Sequence, residues 1–281
     1  MLSKSPKLWL VATPIGNPGD LSPRAGEVLS AADVICAEDT RQAGLLCKHH
    51  GIHGTRFVSL FEHNEQERLR TVLGFLENGL EVALISNAGS PLIADPGYQL
   101  VRTCRDHGFP VSPVPGPSAP IAALTGSGLP PYPFTFLGFL PRKAGDQQRA
   151  LTPFATLKTT LIFFERKSRL LGSLATALQV LGDREACLCR ELTKQYEEFL
   201  GFRLAAAQDL DCALLGEFTV VIGPPETETT TPLEEVRGLI REQIRTGARP
   251  AASVREVLRH VQGWDRKGVY RLYTEIQRTQ C

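Results

Sequence analysis

The chain has 281 residues, 42% hydrophobic and 22% charged, enough apolar material for one large core or two smaller ones and a composition that excludes disorder. No run reaches the roughly 18 apolar residues of a membrane span, and Met1-Leu2-Ser3-Lys4-Ser5-Pro6-Lys7 leads into a short strand rather than a signal peptide, so a cytoplasmic protein without a membrane partner is expected. Seven scattered cysteines with no paired CxxC spacing point to reduced, mostly buried thiols and no metal, while a net charge of +1 confines any nucleic-acid contact to a local basic patch.

Apolar runs then alternate with helix-like segments: residues 8–12, 34–37 and 57–60 read as strands, 65–77 as a helix, 82–86 as a strand and 98–107 as a helix. This is the βαβ rhythm of a parallel sheet. His49, His50 and His53, beside Gly51 and Gly54, fit a solvated surface turn better than a metal site. Pro113-Val114-Pro115-Gly116-Pro117-Ser118-Ala119-Pro120 interrupts the rhythm, because its prolines suit neither a helix interior nor a central strand, and marks a domain junction. A second α/β block follows, with strands at 134–138, 160–164, 186–190 and 218–222 and a helix at 170–181. The Thr-rich stretch 224–232 has no apolar face to bury and reads as a linker. Beyond it Val254, Val257, Leu258 and Val261, then Val269, Leu272, Tyr273 and Ile276, repeat the i, i+3, i+4, i+7 spacing of two amphipathic helices joined by a turn. Arg266, Lys267, Arg271 and Arg278 give the second helix a basic side, which suits either phosphate contact or plain solvation. The expected domains are 1–116, 117–224 and a linker with helical tail over 225–281.

Turn residues crowd the end of the fourth strand in Ile85-Ser86-Asn87-Ala88-Gly89-Ser90-Pro91, where an open α/β sheet binds ligands. Gly89 allows backbone to approach a ligand closely, and Pro91 and Pro96 stiffen the exit. The loop 12–20 has two glycines and two prolines but is neither GxGxxG nor a Walker loop. Glu38, Asp39 and Arg41 cluster charge at the same sheet edge, and a cleft between the two α/β blocks is the default ligand site.

Together, Thr13-Pro14-Ile15-Gly16-Asn17, Ala37-Glu38-Asp39-Thr40-Arg41, Glu62-His63-Asn64-Glu65, Ala88-Gly89-Ser90-Pro91, Asp95-Pro96-Gly97 and Pro115-Gly116-Pro117-Ser118 resemble the tetrapyrrole methylase superfamily, in its branch that methylates small-subunit ribosomal RNA. The likeness continues through Gly138-Phe139-Leu140-Pro141, Phe164-Glu165, Arg190-Glu191-Leu192-Thr193-Lys194 and Gly216-Glu217-Phe218 into the tail, covering nearly the whole chain. The resemblance implies two α/β domains of the tetrapyrrole methylase type with an interdomain cleft, plus a small C-terminal helix-turn-helix-like tail. It further implies a homodimer that uses S-adenosylmethionine to methylate the ribose 2′-hydroxyl of a cytidine in the decoding region of 16S rRNA, within the small ribosomal subunit.

By the same resemblance, Leu10, Pro14, Ser90, Ile93, Ser118, Ala119, Phe164 and Leu192 would hold the donor, and Arg41, Arg142, Lys143 and Lys194 would face RNA phosphates. Asn64 would hydrogen-bond a base edge or else cap the helix that starts near Glu65. Glu38 and Asp39, with His63 behind them, are the candidates for accepting or orienting the hydroxyl proton. One departure stands out: Asn87 replaces the aspartate usual in the family's loop, exchanging a pure acceptor for an amide that also donates. That exchange also leaves open a catalytically weakened RNA-binding or ribosome-assembly factor. A methylase acting on a porphyrin-like ring is the other alternative, although a basic tail does not suit it.

Overall fold

Five runs of four residues, Leu8–Val11 (β1), Val34–Ala37 (β2), Arg56–Ser59 (β3), Val82–Ile85 (β4) and Val111–Val114 (β5), pair in parallel in the order β3-β2-β4-β1-β5. β2 and β4 are buried at every position, as central strands covered on both faces must be. The computed structural model describes residues 6–61, 63–210, 217–226 and 231–279. Glu62, Gly216 and residues 227–230 of the expected linker lie outside them.

Alternation along the strands sends Leu8, Val34, Cys36, Val82 and Leu84 to one face, against Glu65–Glu77 (α3) and Tyr98–Asp106 (α4). Val11, Ile35, Ala83 and Ile85 go to the other face, against Pro23–Ala31 (α1) and Thr40–His49 (α2). Both latter helices start on a side-chain cap: Ser22 accepts the Ala25 N–H ahead of Pro23, and Asp39 accepts the Arg41 N–H.

The proline-rich stretch is built into the elements on either side of it. Pro113 lies inside β5, opposite Leu10, and is tolerated because β5 is an edge strand. Pro120 occupies the first turn of Ala119–Gly126 (α5), where a backbone N–H has no helical acceptor to lose.

The second sheet runs β6-β7-β10-β8-β9, from Phe134–Phe139 (β6), Thr160–Arg166 (β7), Glu185–Arg190 (β8), Glu198–Arg203 (β9) and Glu217–Ile222 (β10). Only β6 and β7 are parallel. One face, with Leu161, Phe163, Leu188, Phe218 and Val220, packs on Ala144–Leu151 (α6) and Lys167–Leu181 (α7). The opposite face, with Ile162, Cys187, Cys189 and Val221, is covered by Ala123 and Leu124 of α5 and by Ile15. Helix α5 thus belongs to the second sheet while its N-terminus opens toward the first.

The chain divides into two compact units, Met1–Pro224 and Pro225–Cys281. In the second, Leu233–Arg245 (α8), Pro250–His260 (α9) and Arg266–Thr279 (α10) bury Val236, Ile240, Val254, Val257, Val269, Leu272 and Ile276 in a core of their own. The heptad-like spacing forecast α9 and α10; α8 precedes them. Among the described residues no helix is long and apolar enough to cross a membrane.

Candidate active site

Beyond β4 the chain folds into a turn stitched to the loop that follows β1. The Thr13 N–H donates to Gly89 O at 2.8 Å, the Gly89 N–H donates to Thr13 O at 3.0 Å, and the Thr13 hydroxyl donates to Ser86 O at 3.2 Å. Gly89 takes φ +80°, and a Cβ there would stand 3.3 Å from Ile15 Cγ2, so this position needs glycine for both conformation and space. The Ser90 hydroxyl then donates to Pro117 O at 3.2 Å, joining this turn to the segment that enters α5. All these loops leave the C-terminal ends of parallel strands, where open α/β sheets bind ligands.

The second sheet contributes a row of side chains set by strand register. Phe139 pairs with Phe164, Phe164 with Thr219 and Thr219 with Cys189, so one residue from each of β6, β7, β10 and β8 forms a line across the sheet. Phe164 packs edge-on against Phe136 and tilted against Phe139, with centroids 5.0 and 5.3 Å apart. The loop after β8 closes the far side and contacts the loop that follows β1 directly. Asn17 N–H donates to the Thr193 hydroxyl at 3.0 Å, and a Cβ on Gly16 would lie 2.6 Å from Lys194 Cγ and 2.7 Å from Leu192 O.

Between these walls lies a cavity of about 520 Å³, within the roughly 300–1,000 Å³ range of small-molecule sites. Ser90, Ile93, Ser118, Ala119, Phe164 and Leu192 line it, together with Glu38 and Lys194. Leu10 instead packs against the core under the first sheet. Pro14 and Asp39 border a second cavity of about 300 Å³ under α2, and Asn87 lines both cavities. Arg41, His63, Asn64, Arg142 and Lys143 line neither. His63 is exposed and packs edge-on to Phe61. Asn64 uses its amide on backbone, accepting the Phe61 N–H at 2.8 Å and donating to Ser59 O at 3.2 Å, without a helix-capping bond. Arg142 and Lys143 are exposed before α6.

Among the described residues, the non-glycine positions with positive φ all fall in the two cavity loops: Leu92 at 72°, Ala94 at 64°, Glu191 at 50° and Thr193 at 65°. Conformations of this kind cost about 1–3 kcal/mol each and cluster where surrounding structure holds a site rigid.

The charges are equally specific. The Arg41 guanidinium donates twice to the Asp39 carboxylate, at 3.1 and 2.8 Å, and holds it down to a pKa of about 2. Asp39 is therefore a poor proton acceptor at neutral pH. Glu38, next in the chain, takes one hydrogen bond from Asn87 Nδ2 at 2.8 Å and faces the cavity. Lys194 pairs with Glu191 at 3.0 Å, and Arg166 adds a cation at the end of β7. Cys187 and Cys189 approach within 3.8 Å, and the hydrogen bond between them together with burial pushes the Cys189 thiol up. Phe139, Arg166, Cys189 and Thr219 were not singled out from the sequence as site residues. Strand alternation would have found two of them, since Thr219 and Cys189 lie two residues from Val221 and Cys187 on one face.

Comparison with known proteins matches residues 7–208 to the family described as Tetrapyrrole (Corrin/Porphyrin) Methylases. The chain is 45% identical over 275 residues to a ribosomal RNA small subunit methyltransferase I of Micromonospora olivasterospora, covering 95% of this chain and 87% of that protein. It is 42% identical over 278 residues to the protein of the same name from Mesorhizobium japonicum, covering 98% and 93%. Among solved structures, a uroporphyrin-III C-methyl transferase from Thermus thermophilus complexed with S-adenyl homocysteine shares the fold, with a TM-score of 0.56 and 21% identity over 77% of this chain and 97% of that one.

Proposed function

From the premise that this chain belongs to the tetrapyrrole methylase family, we propose that it transfers a methyl group from S-adenosylmethionine to the ribose 2′-hydroxyl of a cytidine in 16S rRNA. The observation that carries this reading is the extent of similarity. The rRNA methyltransferase relatives align with 95% and 98% of the chain, tail included, whereas the porphyrin-acting neighbour covers 77%. The cytoplasm, a homodimer and the assembled small subunit as substrate belong to the same reading.

The cavity residues fit the donor. Phe139, Phe164, Ile93 and Leu192 offer apolar surface for a flat ring, and Ser118, Thr219 and Arg166 offer polar groups for the charged ends of an amino acid. When bound there, S-adenosylmethionine supplies an electrophilic methyl carbon on a sulfonium. The protein's part is alignment, which can lower a barrier by about 7–11 kcal/mol, together with removal of the hydroxyl proton. In this reading that proton goes to Glu38, supported by its position among the cavity-lining residues, by the binding of Asp39 to Arg41 and by His63 lining neither cavity. Lys194 at the rim, with Arg41, Arg142 and Lys143 on exposed surface, would meet RNA phosphates.

Small ribosomal subunits lacking their own modification, incubated with radiolabelled S-adenosylmethionine, should gain label on a single cytidine ribose. Glu38→Gln should lower turnover about 100-fold or more while donor affinity stays the same. Absence of label on subunits would sink the reading, and label on a porphyrin-like ring would move it to the other branch of the family.

A further inference from the structure

The Asn87 amide is engaged at both ends. Its Nδ2 donates to Glu38 Oε2 at 2.8 Å, and its Oδ1 accepts the Asp39 N–H at 3.3 Å. These partners dictate the orientation, because a reversed amide would set its NH₂ against a backbone N–H and its oxygen against a carboxylate. The Asp39 N–H in turn is fixed at the junction of β2 and α2, where the Asp39 side chain caps the helix. A rigid backbone donor thus aims Asn87, and Asn87 aims Glu38.

We propose that Asn87 is a positioning residue, its amide holding the Glu38 carboxylate toward the cavity with Oε1 left to receive the proton of the acceptor hydroxyl. This rests on Glu38 being the proton acceptor, as proposed above. In that step the hydroxyl O–H bond would break, with its proton passing to Glu38 Oε1. The oxygen's electron pair would form the bond to the methyl carbon as the methyl–sulfur bond breaks and the sulfur keeps that bond's pair, leaving a neutral thioether. Among the described residues Oε1 has no hydrogen-bond partner, while Oε2 is occupied by the amide. The other charged groups that line this cavity come from three further elements: Asp95 in the loop after β4, Arg166 at the end of β7, and the Glu191–Lys194 pair after β8. Asp39, beside it in the chain, has its carboxylate turned to Arg41.

An amide supplies an acceptor on one side and a donor on the other, whereas an ionised carboxylate supplies acceptors alone. An aspartate at position 87 would still accept from Asp39 N–H but would set a second carboxylate at hydrogen-bond distance from Glu38. Two such groups titrate as a pair with one step displaced upward, so the ionised base would be lost at a higher pH than in the natural chain.

The test compares kcat, donor Kd and the pH profile of methyl transfer for the natural chain, Asn87→Ala, Asn87→Asp and Glu38→Gln. The expected result for Asn87→Ala is a kcat about 10- to 100-fold lower, the range of a small misplacement of a reacting group, with donor Kd unchanged. For Asn87→Asp the acidic limb should move up by about one pH unit or more, with turnover recovering above it; a purely structural role would not move that limb. Unchanged kcat and limb in both Asn87 variants, alongside a disabled Glu38→Gln, would overturn the positioning role alone. Full turnover by Glu38→Gln would overturn the proton-acceptor assignment and this inference with it.

Discussion

Two neighbouring carboxylates at the end of β2 are used in opposite ways. Glu38 keeps one oxygen available in the cavity, whereas Asp39 is taken up by the Arg41 side chain and by backbone N–H groups at the start of α2. The folded-state pKa of Asp39 is depressed from 3.8 to about 2, so whatever stability the pair gives is complete above about pH 4 and fades as the pH falls toward 2. Arg41 is 88% exposed, so the effect on overall stability is small and the titration itself is the quantity to follow. Carboxyl-carbon NMR should place the Asp39 midpoint near 2, and Arg41→Ala should return it toward the ordinary value. A midpoint already near 3.8 in the natural chain would show that the pair does not hold in solution.

At the level of elements, close approach explains why one glycine is indispensable and another is not. Gly16 lies against Leu192 O and Lys194, whereas Gly74, inside α3, has open space where its Cβ would be. Denaturant unfolding should therefore show Gly16→Ala losing about 1–3 kcal/mol and Gly74→Ala gaining about 0.5–1 kcal/mol; shifts of the same sign would contradict this packing. The same elements show what a sequence can and cannot disclose. Strands β1 to β4 and helix α3 were legible because unbroken apolar runs and a clear 3.6-residue period mark them. β5 was hidden by Pro113, whose tolerance depends on having a neighbour on one side only, a fact of topology. β9 was hidden because Glu198-Phe199-Leu200-Gly201-Phe202-Arg203 begins and ends in charges that are satisfied by partners across the sheet, Arg190 and Asp183. The loop motifs pointed to the cavity through family resemblance, but the row from Phe139 to Cys189 required the register of four strands. The two partners of the Asn87 amide were likewise invisible until Glu38 and Asp39 were placed beside it.

For the molecule as a whole, cavity and basic helix fall in different units. Every residue lining the 520 Å³ cavity precedes Pro224, while Arg266, Lys267, Arg271 and Arg278 lie exposed on or near α10 in the second unit. Ending the chain at Pro224 should keep S-adenosylmethionine affinity within about threefold, raise KM for small subunits and flatten the salt dependence of that KM, since each lost phosphate contact removes close to one unit of slope. An unchanged KM and slope would deny the tail a part in RNA binding. The strand order also bears on how the protein is made. β1 precedes β2, β3 and β4 in the chain yet lies between β4 and β5, so its sheet cannot close until residue 114 has been synthesised. The cavity waits longer still, for Thr219 on β10. A nascent chain therefore cannot carry the site until residue 219 has been added, and a protein proposed to modify ribosomes has no competence to do so before that point of its own synthesis on one.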